Sequence, residues 1–292
     1  MIDRIVCGTQ VAEPPGSVAE AFPVWDAFAA AGGTWFDTAR VYGDGASDRA
    51  LGAWLASRGT RERTTVVGKG AHTPHCDPMS LTRELHESLE ALQTDHLDVY
   101  LLHRDNLEVP VGEFVDVCDE HLRAGRFAAW GGSNWTAARI DEANAYATEN
   151  GRAPMTYVSN QLSLARMVQR TYPGTETANT PAFRAWLAAR DITLLAWSSQ
   201  AGGFFAGLSA DGFLAHAWFD DDNLERRRRV EVLAAELGVA PTTLALAWVL
   251  HQPDAIRPII GPRHVEEVTS SLAAIDVVLS DRQVAWLDLL ED

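Results

Sequence analysis

Residues 64–106 read TTVVGKGAHTPHCDPMSLTRELHESLEALQTDHLDVYLLHRDN and contain one complete strand–helix–strand unit. Thr64–Gly68 is a short, β-branched apolar run of the kind that suits a strand buried on both faces. Ser80–Gln93 follows as a helix. Ser80 is its candidate N-cap, and Leu81, Leu85, Leu89 and Leu92 recur three or four residues apart on one face. Leu97–Leu102 is the next apolar run. Two strands joined through a helix run parallel, with a right-handed crossover.

The same rhythm extends in both directions. Arg4–Gly8, Thr34–Phe36, Phe127–Gly131, Thr156–Asn160, Thr193–Trp197 and Arg257–Ile260 read as further strands, which brings the set to eight. Helical patterns fill the gaps: Ala46–Arg58 with Leu51, Trp54 and Leu55 on one face, then Val111–Arg123, Asp141–Glu149, Thr180–Ala189, Leu224–Leu237, Pro241–His251 and Val265–Ala274. Pro241 stands in a first helical turn, where its missing N–H costs nothing. Asp281–Leu290 is an extra C-terminal helix. Eight units in 292 residues point to one α/β domain over residues 1–292, a closed (β/α)8 TIM barrel rather than an open doubly wound sheet. The open alternative also wants G-x-G-x-x-G after the first strand, and CGTQVAEPPG at residues 7–16 lacks it. The long connections Met167–Asn179 and Ser198–Asn223 follow strands 6 and 7, on the C-terminal face where such barrels do chemistry.

Composition narrows the function. Hydrophobic residues at 47% supply one large core, and a formal charge of −16 makes nucleic acid and anionic lipid poor partners. An anionic cofactor must then be held by a local basic site working against the overall field. Three scattered cysteines, Cys7, Cys76 and Cys118, make no disulfide framework and suit a reducing compartment. Without a signal-like N-terminus or an apolar run of about 18 residues, the chain is expected to be soluble and cytoplasmic. Its oligomeric state is not written in the sequence.

Three strand exits carry titratable groups. FDTARVYG places Asp37 at the end of strand 2 and Tyr42 in the loop; VVGKG places Lys69 after strand 3; LLHRDN places His103 after strand 4. A phenol with an ordinary pKa of about 10 is too weak an acid at neutral pH, and an adjacent ammonium favours its ionised form. Asp37 paired with Lys69 would keep that lysine charged, and His103 would hydrogen-bond a substrate carbonyl oxygen. Each residue alone reads as a turn, surface or core group; together at one barrel mouth they read as catalytic.

These segments resemble the Asp–Tyr–Lys–His tetrad of the aldo-keto reductase superfamily, and the resemblance runs from Gly8 to Leu272. It implies a carbonyl reductase fed by NADPH and acting on a small-molecule aldehyde or ketone. GGSNW is similar to the family's cofactor motif, so Ser133 and Asn134 would hold the nicotinamide carboxamide together with Gln161 of VSNQLS. AWSSQ takes the place of an A-Y-S-P segment, with Trp197 stacking on the nicotinamide and Ser198 beside it. IIGPRH brings Gly261 and Arg263 to the phosphate site after strand 8, with Arg263 matching the arginine for the adenosine 2′-phosphate. The chain departs from the family pattern at three places. The N-terminal hairpin of many relatives is expected to be missing or reduced, Trp197 replaces a tyrosine, and Glu267 and Ser271 stand where Gln or Arg and Asn are usual. Glu267 beside Arg263 leaves NADH possible, with NADPH ahead.

Other features have milder readings. HTPHCD at residues 72–77 holds ligand-type side chains, but a metal barrel gathers ligands from several strands, and no metal is expected. Arg226–Arg229 would fan around a helix as a solvated surface balanced by Asp220–Asp222 and Glu225. Trp135, Met167, Phe204, Trp218 and Phe219 either wall an apolar substrate pocket or belong to the core. Two competing functions are a barrel that keeps NADP(H) as a redox sensor or regulatory subunit, and a metal-dependent hydrolase or isomerase.

Overall fold

The computed structural model describes residues 2–10, 18–212, 214–253 and 255–291. Eight strands close into a barrel in which each pairs in parallel with its neighbours in chain order. They are β1 Val6–Gly8, β2 Trp35–Asp37, β3 Thr65–Gly70, β4 Leu97–Leu102, β5 Phe127–Ser133, β6 Tyr157–Ser159, β7 Thr193–Ala196 and β8 Ile256–Ile260. The helices outside them are α1 Val18–Ala30, α2 Ala46–Arg58, α3 Pro78–Leu92, α4 Val111–Arg123, α5 Ala137–Glu149, α6 Pro181–Ala188, α7 Ala215–Trp218, α8 Asp221–Leu237, α9 Pro241–Leu250, α10 Val265–Leu272 and α11 Asp281–Leu287.

Two layers of apolar side chains follow from this topology. Inside the barrel, Val6, Val67, Val99, Leu101, Leu195 and Ile259 fill the axis. The entry ends of the strands are plugged by Trp35 and Tyr157, whose rings lie 6.4 Å apart, with the Arg257 guanidinium 4.4 Å from the Trp35 ring. Between barrel and helices, Trp25, Phe28, Phe36 and Trp54 form a cluster of edge-on and tilted rings. Cys7, Cys76 and Cys118 are all buried free thiols. Among the described residues no single helix is long and apolar enough to cross a membrane.

Several expectations are corrected here. β3 and β5 run on through glycines taken as strand ends. Those glycines serve close packing: a Cβ on Gly131 would lie 1.9 Å from the Tyr157 carbonyl oxygen, and one on Gly68 would lie 2.7 Å from Leu97 Cδ1. Lys69 and Ser133 therefore belong to strands. Ser80 is not the cap of α3. Asp77 is, accepting from the Ser80 N–H at 2.8 Å, with Pro78 in the first turn. α1 went unread because it is almost wholly apolar and holds Pro23 inside it. The connection after β7 contains a 3-10 segment, Ala201–Ala206, and the short α7. In the arginine run, Arg228 and Arg229 both reach Glu225 and Arg227 reaches Glu231, but Arg226 turns inward towards Asp288.

Candidate active site

β2, β3 and β4 bring the expected groups to one mouth of the barrel. The Lys69 ammonium donates to Asp37 Oδ2 at 2.6 Å, to the Thr38 carbonyl at 2.9 Å and to the Tyr42 hydroxyl at 3.4 Å. Both partners of the ion pair are sealed from solvent, at 3% and 4% side-chain exposure. Tyr42 is half-buried, and its ring meets the His103 ring edge-on at 5.7 Å. Asp48 on α2 fixes the loop between them, accepting from the Thr38 hydroxyl at 2.5 Å and from Ser88 at 2.8 Å. Asp48 was missed by sequence reasoning; its only signal is an acidic residue three places into a helix that directly follows the tyrosine loop.

Burial would lower the Lys69 pKa, but Asp37 and Tyr42 together hold it above its ordinary value, so the lysine stays a cation. Burial pushes Asp37 up, against the pull of Lys69. Tyr42 corrects a simpler expectation. Desolvation raises its phenol above the ordinary value, Lys69 pulls it back only in part, and the resting group is the protonated acid. Desolvation, with Lys69 adding, holds His103 well below the ordinary histidine range, so its imidazole is neutral. Its Nδ1 is buried without a partner.

Strained backbone gathers at the same mouth. Asp44, Ala71, Asn134, Ser198 and Ala201 have positive φ and lie just past β2, β3, β5 and β7. Non-glycine residues seldom hold that conformation except where surrounding structure enforces it. Asn134, at φ 61°, donates to Ser133 Oγ at 3.1 Å and accepts from the Glu176 N–H at 3.1 Å. Gln161 donates to Ser163 Oγ and accepts from Thr177 Oγ1, each at 2.9 Å. The Gln161 N–H meets the Glu176 carbonyl at 2.9 Å, so Asn134 and Gln161 are gathered through one residue of the β6 loop. Trp197 bridges to Gln161, packs on the barrel axis, and leaves part of its ring open and its Nε1 without a partner. Amide groups beside a free aromatic face fit a nicotinamide ring and its carboxamide.

After β8, Gly261 has open space around its Cα. The Arg263 side chain is 74% exposed and ties to Glu267, which accepts from the Arg263 N–H at 2.6 Å and from its guanidinium at 3.5 Å. Ser271 is buried and takes a hydrogen bond from Gln200 at 3.2 Å. Of the five pocket candidates, Trp135, Phe204 and Trp218 show no exposed surface and pack in the core, while Met167 and Phe219 are half-buried. The HTPHCD residues go to separate tasks: His72 faces the His103 ring at 5.0 Å, the Cys76 thiol donates to the Arg104 carbonyl at 3.2 Å, and Asp77 caps α3. Among the described residues no three of His, Cys, Asp and Glu are placed to share a metal ion.

The fold and the site together define a (β/α)8 barrel enzyme with a buried ion pair beneath a phenol at one mouth. The chain belongs to the aldo/keto reductase family, whose model matches residues 4–292, and is a nicotinamide-dependent oxidoreductase. Its relatives include the uncharacterized oxidoreductase YrpG of Bacillus subtilis, 29% identical over 100% of this chain and 92% of that one. Another is the aryl-alcohol dehydrogenase [NADP(+)] of Phanerodontia chrysosporium, 27% identical over 91% and 74%. An aldo/keto reductase from Klebsiella pneumoniae, solved with NADP and acetate, superposes with a TM-score of 0.78 at 26% identity, covering 98% of this chain and 90% of that one.

Proposed function

We propose that this protein reduces an aldehyde or ketone to an alcohol with NADPH, using Tyr42 as the general acid. The observation that carries the reading is the Lys69 ammonium, 2.6 Å from Asp37 and 3.4 Å from the Tyr42 hydroxyl, with His103 edge-on to that phenol. Reduced nicotinamide, held by Ser133, Asn134, Gln161 and Trp197, would supply hydride to the carbonyl carbon. Tyr42 gives its proton to the carbonyl oxygen, and Lys69 stabilises the phenolate left behind. Asp37 keeps Lys69 charged in a site that would otherwise discharge it. The neutral His103 imidazole donates a hydrogen bond that orients the carbonyl. The test is multiple-turnover oxidation of NADPH by simple aldehydes, followed by the absorbance of the reduced cofactor. Tight binding with no turnover would turn the reading towards a nucleotide-sensing barrel.

The pH profile follows from the two displaced groups. Reduction needs the Tyr42 proton, which is present below its folded pKa and lost as pH rises through it; that pKa is raised, so the alkaline limb lies above 10.0. His103 acts when neutral and fails only as pH falls through its lowered pKa, so the acid limb lies well below 6.5. kcat/KM is therefore expected to be flat between those limits, and a break at the ordinary histidine value rules out His103 as a neutral donor.

Arg263 is the reason to rank NADPH above NADH, and Glu267 competes with the phosphate for it. Glu267→Gln should tighten NADPH by a few-fold to about tenfold and leave NADH alone, a modest effect because the pair is exposed. Quenching of tryptophan fluorescence reads both affinities. Equal shifts for the two cofactors remove Arg263 from the 2′-phosphate site.

A further inference from the structure

Arg104, directly after His103, is a buried cation without an acid. Three arginines are buried among the described residues: Arg104, Arg139 and Arg226. Arg139 has Asp105 at 3.3 Å and Glu142 at 2.9 Å, and Arg226 has Asp288 at 3.9 Å. Arg104 is 7% exposed and makes no ion pair among the described residues. Its Nη1 donates to the His103 carbonyl at 2.8 Å, and its Nε is buried with no partner. Its Nη2 has no protein partner either, yet is not sealed from solvent.

The nearby carboxylates are committed elsewhere. Asp105 holds Arg139, Asp77 caps α3, and Glu84 accepts from the Ala71 N–H at 2.8 Å. Above the stem lies Gly174 of the β6 loop, where even a Cβ would come within 3.6 Å of Arg104 Cδ. The Tyr42 phenol and His72 are both close enough to feel its charge. A desolvated guanidinium with free donors costs free energy unless an anion completes it, and its fork matches a carboxylate.

We propose that Arg104 receives a carboxylate carried by the substrate itself, so that the substrate class is an oxo acid. This rests on carbonyl reduction at Tyr42: the acid end lies at Arg104 while the carbonyl oxygen lies at Tyr42 and His103. A cofactor phosphate is the other source of such an anion. The phosphate region after β8 lies across the ring from β4, half the eight-stranded barrel away, so the substrate is the better source.

The test compares 4-carboxybenzaldehyde with its methyl ester in the wild type, Arg104→Met and Arg104→Lys. The wild type should favour the acid through KM. Arg104→Met should cut the acid-to-ester ratio of kcat/KM by tenfold to a hundredfold, on the order expected of a charged hydrogen-bond pair, and Arg104→Lys should restore part of it. The ratio cancels any general disturbance of His103. Binding of the acid to the NADP+-loaded protein, which cannot reduce it, is read in parallel by fluorescence, and so is the affinity for NADPH. Reduction of both aldehydes without preference, or an equal loss for both in Arg104→Met, overturns the oxo-acid assignment and leaves carbonyl reduction standing. Arg104-dependent binding without turnover does the reverse. Weakened NADPH binding in Arg104→Met assigns the arginine to a cofactor phosphate and overturns the proposal.

Discussion

Tyr42→Phe should lower kcat for aldehyde reduction by 10²- to 10⁴-fold, the range that a positioned general acid contributes, while the affinity for NADPH stays within about twofold. The change deletes one oxygen from a half-buried ring. Lys69 keeps Asp37 and the Thr38 carbonyl as acceptors, so no buried charge is stranded and the fold should hold. The groups proposed for the carboxamide stand at or just past the ends of β5, β6 and β7, not on the tyrosine loop. Steady-state kinetics for kcat and fluorescence titration for the cofactor separate the two effects. Turnover at the wild-type rate in this variant would remove Tyr42 from the chemistry. Equal loss of turnover and NADPH affinity would make it a structural residue.

Strand number, order and exits were legible because buried parallel strands announce themselves as short apolar runs, and Asp37, Lys69 and His103 stand where those runs stop. α2 and α4 occur with the bounds their amphipathic patterns imply, Ala46–Arg58 and Val111–Arg123. The misses have physical causes. α1 has no polar face to give it a period. Gly68 and Gly131 look like strand ends to any propensity argument, yet they are demanded by the approach of the Leu97 side chain and of the Tyr157 carbonyl. Trp135, Phe204 and Trp218 could have gone to pocket or core, since an aromatic in a long loop carries no mark of which way it faces; the structure packs all three. Arg104 passed unnoticed because LLHRDN offers two acidic or amide neighbours within two residues. Only the fold shows that Asp105 is taken by Arg139. Local sequence reports which groups are near in the chain, whereas an unpaired charge is a statement about everything packed around it.

Lys69→Met tests the ion pair on which the site is built, and its consequences reach stability as well as rate. Without the ammonium, Asp37 is left buried with neither oxygen paired, since Oδ1 already lacks a partner. Removing one member of such a pair costs about 3–5 kcal/mol, equivalent to roughly 5–8 °C in Tm for a chain of this size. The deficit depends on pH with a definite sign. Burial raises the Asp37 pKa in the native state, and loss of Lys69 removes the chief force opposing that rise. A raised carboxyl stabilises the fold while protonated, below its unfolded value, and that contribution is lost as pH rises through the native pKa. The gap in Tm between wild type and variant should therefore narrow as pH is lowered from 7 towards 4. Asp37→Asn in the Lys69→Met background removes the stranded charge and should recover much of the lost stability without recovering kcat, because the phenol still lacks its cation. Thermal unfolding of the two variants across that pH range decides the matter. A single variant as stable as the wild type at pH 7, or a deficit that grows on acidification, would mean that Asp37 and Lys69 are not the coupled buried pair described here.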